Sequence, residues 1–316
     1  MASAGGAEVT VFDARPSVGR KFLVAGRGGL NLTHDEPPGE FSRRYTGPDQ
    51  PDGFWSSVLT DFDPEALRAW AKDLGVETFT AKTGRVYPVE MKAAPLLRRW
   101  VHRLREAGVR FALNHRWTGL TPGTPWRVSF ESGGEAKTFE SDAVILALGG
   151  GSWPDTGSDG TWTTSLESLG VTISPLAPAN CGWELPWPAA VLELAEGKPL
   201  KNVTVRAGDI TAVGELLITK YGLEGGTIYT LGATLRSMQE PEIIIDFKPA
   251  HTVDQLVRKL GNCPRNFLQE ARSRWKLSDA AFVILSHLPG EALFSSAEAT
   301  AATIKACKLR LTGPRP

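Results

Sequence analysis

The sequence is poor in cysteine, methionine and tyrosine, and it has no excess of charge of either sign. Its three cysteines, Cys181, Cys263 and Cys307, stand far apart with no CxxC pairing, which argues against a disulfide framework and against a zinc site. Five scattered histidines make no HExxH pattern, so no metal is expected. Lys plus Arg (35) equals Asp plus Glu (35), and no net field draws phosphate backbones or anionic lipid. Neither a nucleic-acid nor a membrane partner is therefore expected. No apolar run approaches the length needed to cross a bilayer. Residues Met1 to Glu8 carry neither the basic nor the apolar stretch of a secretory signal, and a cytoplasmic location is the expectation.

What is present has the balance of a globular protein, with 41% hydrophobic and 22% charged residues. A length of 316 residues suffices for two domains, or for one domain carrying a large insertion. Val9 to Phe12 is a β-rich run ending at Asp13, followed by a turn at Arg15-Pro16-Ser17. Gly19 to Thr33 holds four glycines among basic and amide side chains and reads as a loop. The polar, Pro/Gly-rich stretch from Pro37 to Phe54 also reads as a loop. Asp63-Pro64 looks like an N-cap and first helical residue ahead of Leu67, Trp70, Ala71 and Leu74. A second helix is expected from Pro95, ending at Gly108, with a strand from Val109 to Leu113. Trp126 to Phe139 has the alternation and the Gly133-Gly134 turn of a hairpin. Ala143 to Leu148 is continuously apolar and runs into Gly149-Gly150-Gly151, as a strand buried on both faces would.

This order predicts an α/β fold around a largely parallel sheet in residues 1–174. From 175 to 307 the pattern changes to a mixed β/α domain, inserted after the first. Short β-rich runs are expected at Val203–Val205, Glu215–Thr219, Thr227–Tyr229 and Glu242–Asp246, with helices after Thr252. Residues 308–316 would begin the return to the first domain.

Three segments carry chemistry. An acidic residue such as Asp13 after a strand of a Rossmann-type unit accepts hydrogen bonds from ribose hydroxyls, although a solvated loop Asp reads the same way. Gly19-Arg20-Lys21, Gly26-Arg27-Gly28-Gly29, Asn31 and Thr33 suit a pyrophosphate, with bare amides and balancing cations, and equally a Gly-rich solvent loop. Ala147 to Gly160 places glycines where ligands of α/β sheets bind, or else forms a tight turn with Asp159 capping the next helix. Elsewhere, His34 reads as a surface histidine and Trp70 and Trp100 as core. Trp183 and Trp187 are candidates to border a pocket, and Cys181 is a small buried residue rather than a redox thiol.

Taken together the segments resemble the BaiN-like, aminoacetone-oxidase-type NAD(P)/FAD-dependent flavoproteins. The carrying motifs are Gly-Arg-Lys with Gly-x-Gly and Asn-x-Thr at Gly19 to Thr33, and the Gly-Gly-x-Ser-x-Pro-x-Thr-Gly-Ser run at Ala147 to Gly160. A third is the Gly-Glu strand and turn at Gly214 to Gly226. The resemblance implies an FAD-binding Rossmann-like domain interrupted by a substrate-side insert, with FAD as cofactor, NAD(P)H as electron donor and a small-molecule substrate. It implies that Asp13 holds the adenosine ribose and that Gly19, Arg20, Lys21, Gly26, Gly28, Gly29, Asn31 and Thr33 line the FAD. Val109 would approach the adenine through its backbone. Ala147, Leu148, Gly149 and Gly150 would pass close to the cofactor, with Trp153 and Asp159 at its flavin end. The family pattern also has a strand and a Gly-x-Gly-x-x-Gly loop upstream of the residue matching Val9, and a Gly-rich stretch beyond the segment matching Leu311 to Pro316. An incomplete Rossmann-like domain is therefore the expectation. Two readings follow: an FAD-dependent oxidoreductase, or a non-catalytic remnant that does not retain FAD. No catalytic residue, substrate or oligomeric state is specified.

Overall fold

The computed structural model describes residues 2–26, 28–45, 51–288 and 290–315. The chain divides into two compact units, 1–176 and 177–316, and is mixed α/β as expected.

The first unit begins with β1 (Thr10–Phe12), α1 (Arg20–Ala25) and β2 (Thr33–His34). Two short helices follow, α2 (Pro38–Ser42) and α3 (Phe54–Thr60), in a stretch whose composition suggests only loop; residues 46–50 of that stretch lie outside the described residues. In α4 (Pro64–Asp73) the Asp63 carboxylate accepts a hydrogen bond from the Ala66 amide at 2.8 Å, which satisfies one of the free donors of the first turn. After β3 (Thr78–Thr80) and β4 (Arg85–Pro88), α5 (Ala93–Glu106) starts two residues before Pro95, which sits in its first turn, where a missing N–H costs nothing. β5 (Arg110–Ala112) pairs in parallel with β1, with Val11 opposite Phe111. β6 (Arg116–Thr121), β7 (Trp126–Ser132) and β8 (Glu135–Ser141) form an antiparallel sheet, and α6 (Trp162–Glu167) follows. Phe12 stacks on Phe130 with centroids 4.2 Å apart, so this sheet covers β1. A small core of Leu30, Ala71, Leu74, Val76, Ala93 and Leu96 ties α4 and α5 to the chain after α1.

Ala143 to Leu148 is a correction. The run is not a strand, and Ile145 is 87% exposed. A fully buried parallel strand needs ladder partners on its edges and packing layers on both faces. Among the described residues the parallel pairing of this unit consists of β1 and β5 alone, and the run joins no ladder.

The second unit carries β9 (Trp183–Glu184), α7 (Ala189–Ala195), β10 (Pro199–Ala207), β11 (Ile210–Thr219), β12 (Gly222–Glu224) and α8 (Gly226–Ser237). Then come β13 (Glu242–Asp246), α9 (Val253–Leu260), α10 (Phe267–Arg274), α11 (Asp279–His287), α12 (Ala297–Lys305), β14 (Cys307–Arg310) and β15 (Gly313–Pro314). Seven strands form one antiparallel sheet in the order β14-β13-β10-β11-β12-β9-β15. Residues 307–314 thus supply two strands of this unit, where a return to the first domain was expected. Thr227 to Tyr229, expected as a strand, is the first turn of α8. Ile228, Leu231 and Leu235 recur at helical spacing, all fully buried, and this packing overrides the β preference of Thr, Ile and Tyr. Trp183 and Trp187, candidates to border a pocket, are buried in the core, 1% and 9% exposed. Among the described residues no helix is long and apolar enough to cross a membrane.

Candidate functional site

Asp13 lies directly after β1, its amide bonded to the Ala112 carbonyl and its carbonyl to the His115 amide. One carboxylate oxygen accepts the Arg15 amide at 2.8 Å and holds the turn that follows. Gly19, at φ +72°, is the N-cap of α1, so the segment read as a loop contains a helix that presents Arg20 outward and Lys21 partly buried.

The Lys21 ammonium donates to the Ser158 carbonyl at 3.2 Å and to the Gly150 carbonyl at 3.5 Å. Arg15 donates to the Pro154 carbonyl at 2.6 Å. These two cations pin the 149–159 loop to the segment after β1. The loop is shaped locally as well: the Trp162 indole donates to the Gly149 carbonyl at 2.9 Å, and Asp159 accepts the Thr161 amide and hydroxyl. Those bonds hold the Asp159 carboxyl below its ordinary range and set the entry to α6. Trp153 is 70% exposed in a left-handed conformation.

The rest of the first motif turns away. A Cβ on Gly26 would lie 2.5 Å from that of Ala93, so this glycine exists to let α1 abut α5. Leu30 bonds Met91 and Leu32 bonds Val86, which directs Gly29, Asn31 and Thr33 along β4; Asn31 is exposed and Thr33 buried. Arg27 lies outside the described residues. Val109 is buried and its amide is committed to the Leu104 carbonyl. Ala147 is exposed and Leu148 half-buried. The structure therefore gathers Asp13, Gly19, Lys21, Gly149, Gly150, Trp153 and Asp159 around the end of β1, packs Gly26 against α5 and sets Gly29 to Thr33 along β4.

Bare backbone is available there. A Cβ on Gly28 or Gly150 would meet nothing within 4 Å, and among the described residues the Gly150 and Gly151 amides have no partner. Arg15 and Ser158 were not singled out from sequence. The only signal was their place beside Asp13 and inside the second motif. His34 is pinned against Gly84, its Nε2–H donating to the Thr83 carbonyl at 3.0 Å, as a half-buried histidine at the end of β2. A groove of about 490 Å³ runs instead along α4, lined by Asp35, Glu36, Asp63, Arg68, Lys72 and Glu77, where no motif points. Cys307 is buried, which pushes its thiol up to about 12.

Residues 1–302 match the family described as HI0933-like protein Rossmann domain. The chain belongs to this family. Its Rossmann assignment accords with the parallel β1–β5 pair and with the glycine motifs at the end of β1. The chain is 29% identical over 282 residues to the 3-dehydro-bile acid delta(4,6)-reductase of Clostridium scindens. That match covers 85% of this chain and 66% of the relative, so the chain spans just under two thirds of the relative's length. A solved structure, the 3-ketosteroid-delta4-(5alpha)-dehydrogenase of Rhodococcus jostii with 4-androstene-3,17-dione, is similar at 18% identity with a TM-score of 0.36. The match covers 47% of this chain and 42% of that chain.

Proposed function

We propose that this chain is an FAD-dependent oxidoreductase-type flavoprotein acting on a small organic molecule, with NAD(P)H as electron donor. The observation that carries the reading is the joining of the two glycine motifs by Lys21, beside a carboxylate at the end of β1. The groups present suit a flavin nucleotide. Asp13 keeps a second carboxylate oxygen for ribose hydroxyls, Arg20 and Lys21 balance pyrophosphate charge, and the free Gly150 and Gly151 amides donate to phosphate or flavin oxygens. Gly150, where a Cβ would meet nothing within 4 Å, keeps the backbone approachable, with Trp153 and Asp159 at the flavin end. When bound, FAD supplies exchange of an electron pair with the substrate, and the protein orients it and excludes competing reactions.

One observation favours a second reading, a relative that does not retain FAD: Ala143 to Leu148, which leads into Gly149, lies outside every ladder among the described residues. The visible spectrum of the purified chain separates the two, taken as expressed and again after incubation with excess FAD and desalting. Flavin bands near one equivalent support the enzyme. A colourless chain that cannot be reconstituted refutes it.

A further inference from the structure

The groove along α4 is lined by residues that none of the three motifs contains, and it holds charges of both signs. Arg68 and Lys72 stand one helical turn apart on α4 and so share the face that lines it. Asp35 and Glu36, after β2, and Glu77 and Thr78, at the start of β3, supply much of the rest. Its volume of about 490 Å³ falls within the roughly 300–1,000 Å³ of small-molecule sites.

These charges do not neutralise one another. Arg68 Nε donates to the Thr78 hydroxyl at 3.3 Å, at the long end of the range. Its Nη1 stands 3.7 Å from Asp35 Oδ2, too far for a hydrogen bond. With its side chain 37% exposed, the guanidinium keeps the hydrogens of both Nη atoms for another partner. Asp35 is in the same state: Oδ2 accepts the Thr80 hydroxyl at 2.9 Å, and Oδ1 accepts nothing among the described residues. Lys72 and Glu77 are exposed, and among the described residues neither side chain makes an ion pair or hydrogen bond. Glu36 differs, because Arg44 takes both of its oxygens. The open groups are therefore two cations, Arg68 and Lys72, and two anions, Asp35 and Glu77.

Their arrangement selects a ligand by its charges. An apolar molecule finds no apolar or aromatic lining of the usual kind. A metal ion is not suited either, since among the described residues no three carboxylate, histidine or cysteine groups come together as its ligands would. A lone anion is opposed by Asp35 and Glu77, and a lone cation by Arg68 and Lys72. A small zwitterion satisfies both sets. It replaces the loose contact between Arg68 and Asp35 by two charge-assisted bonds, and the planar guanidinium matches a carboxylate. We infer that this groove binds a free α-amino acid, its carboxylate on Arg68 with Lys72 alongside and its ammonium on Asp35. The inference does not rest on the flavoprotein reading, because the binding itself needs no flavin.

Calorimetric titration of the full chain with L-alanine and with L-glutamine is expected to show saturable binding at one site, and both should raise the thermal midpoint. N-acetyl-L-alanine lacks the ammonium and L-alaninamide lacks the carboxylate. Each is expected to bind about tenfold more weakly than L-alanine. Arg68→Gln should weaken L-alanine about tenfold. Lys72→Gln alters an exposed side chain without an ion pair, so the fold is kept, and binding should weaken about threefold. Asp35→Asn should erase the preference for L-alanine over N-acetyl-L-alanine, an effect that a general loosening of the groove would not produce. Thermal midpoints of the free variants report that each is folded. Absence of saturable heat with both amino acids, or equal binding of the single-charge analogues, overturns the proposal. So does parent affinity in those of the three variants that fold.

Discussion

The Lys21 ammonium and the Ser158 carbonyl, 137 residues apart in the chain, stand 3.2 Å apart in the fold. The contact joins the first residues of one glycine motif to the end of another, and with the Arg15 bond to Pro154 it closes the first unit's candidate site.

Lys21→Met keeps most of the stem and removes the ammonium. It is expected to destabilise the first unit by about 1 kcal/mol and to weaken FAD binding about tenfold. Urea midpoints and a flavin-fluorescence titration measure the two effects. A loss of stability with unchanged flavin affinity would leave Lys21 a structural tie alone.

Two glycines should respond in opposite ways to alanine. Gly222→Ala drives a Cβ into the Trp183 carbonyl from a positive-φ position and is expected to cost about 3 kcal/mol or more. Gly150→Ala meets open space and is expected to stay within about 0.5 kcal/mol of the parent, while lowering FAD affinity because the added methyl stands where backbone must be approached. Equal stability losses would contradict the geometry.

Ile145→Ala tests the exposed apolar run. At 87% exposure the side chain has little to lose, and the denaturation midpoint should shift by no more than about 0.5 kcal/mol. A strand buried on both faces would instead lose about 2–5 kcal/mol.

Glu36 gives a pH signature. Hydrogen bonds from Arg44, at 2.5 and 2.7 Å, hold its carboxyl below the ordinary range against the opposing effect of burial, with the charges of Arg44 and His34 assisting. A depressed folded-state value means the contribution to stability is present above the unfolded value of about 4.3. It is lost as pH falls through the folded value. Glu36→Gln should therefore flatten the fall of thermal stability below about pH 4.3 and leave its slope near neutrality unaltered. An unchanged acid limb would show that the pair contributes nothing.

Local chemistry was legible in the sequence wherever it acts within a few residues. Asp63 caps α4 because a carboxylate two or three residues from free amides satisfies them in any context, and the Gly133-Gly134 hairpin closes because both glycines accept positive φ. The three motifs were equally visible, since bare backbone and clustered cations need no tertiary contact to be recognised. Which residues share a site was less legible. Composition alone did not show that Lys21 rides on a helix and reaches Ser158, or that Gly26 serves helix packing rather than a ligand.

The sequence by itself determined the α/β class, the family-bearing glycine segments and the change of pattern near residue 175. These follow from periodicity, glycine placement and residue order, all local properties of the chain. Tertiary structure alone decided the state of two apolar, β-prone runs. Ala143 to Leu148 stays irregular and largely exposed because, among the described residues, no neighbouring strand takes up its backbone donors and acceptors. Thr227 to Tyr229 becomes helix because Ile228, Leu231 and Leu235 are buried together only at helical spacing. In both cases the intrinsic preference is small beside the free energy of satisfying backbone groups and burying side chains against what the rest of the fold provides.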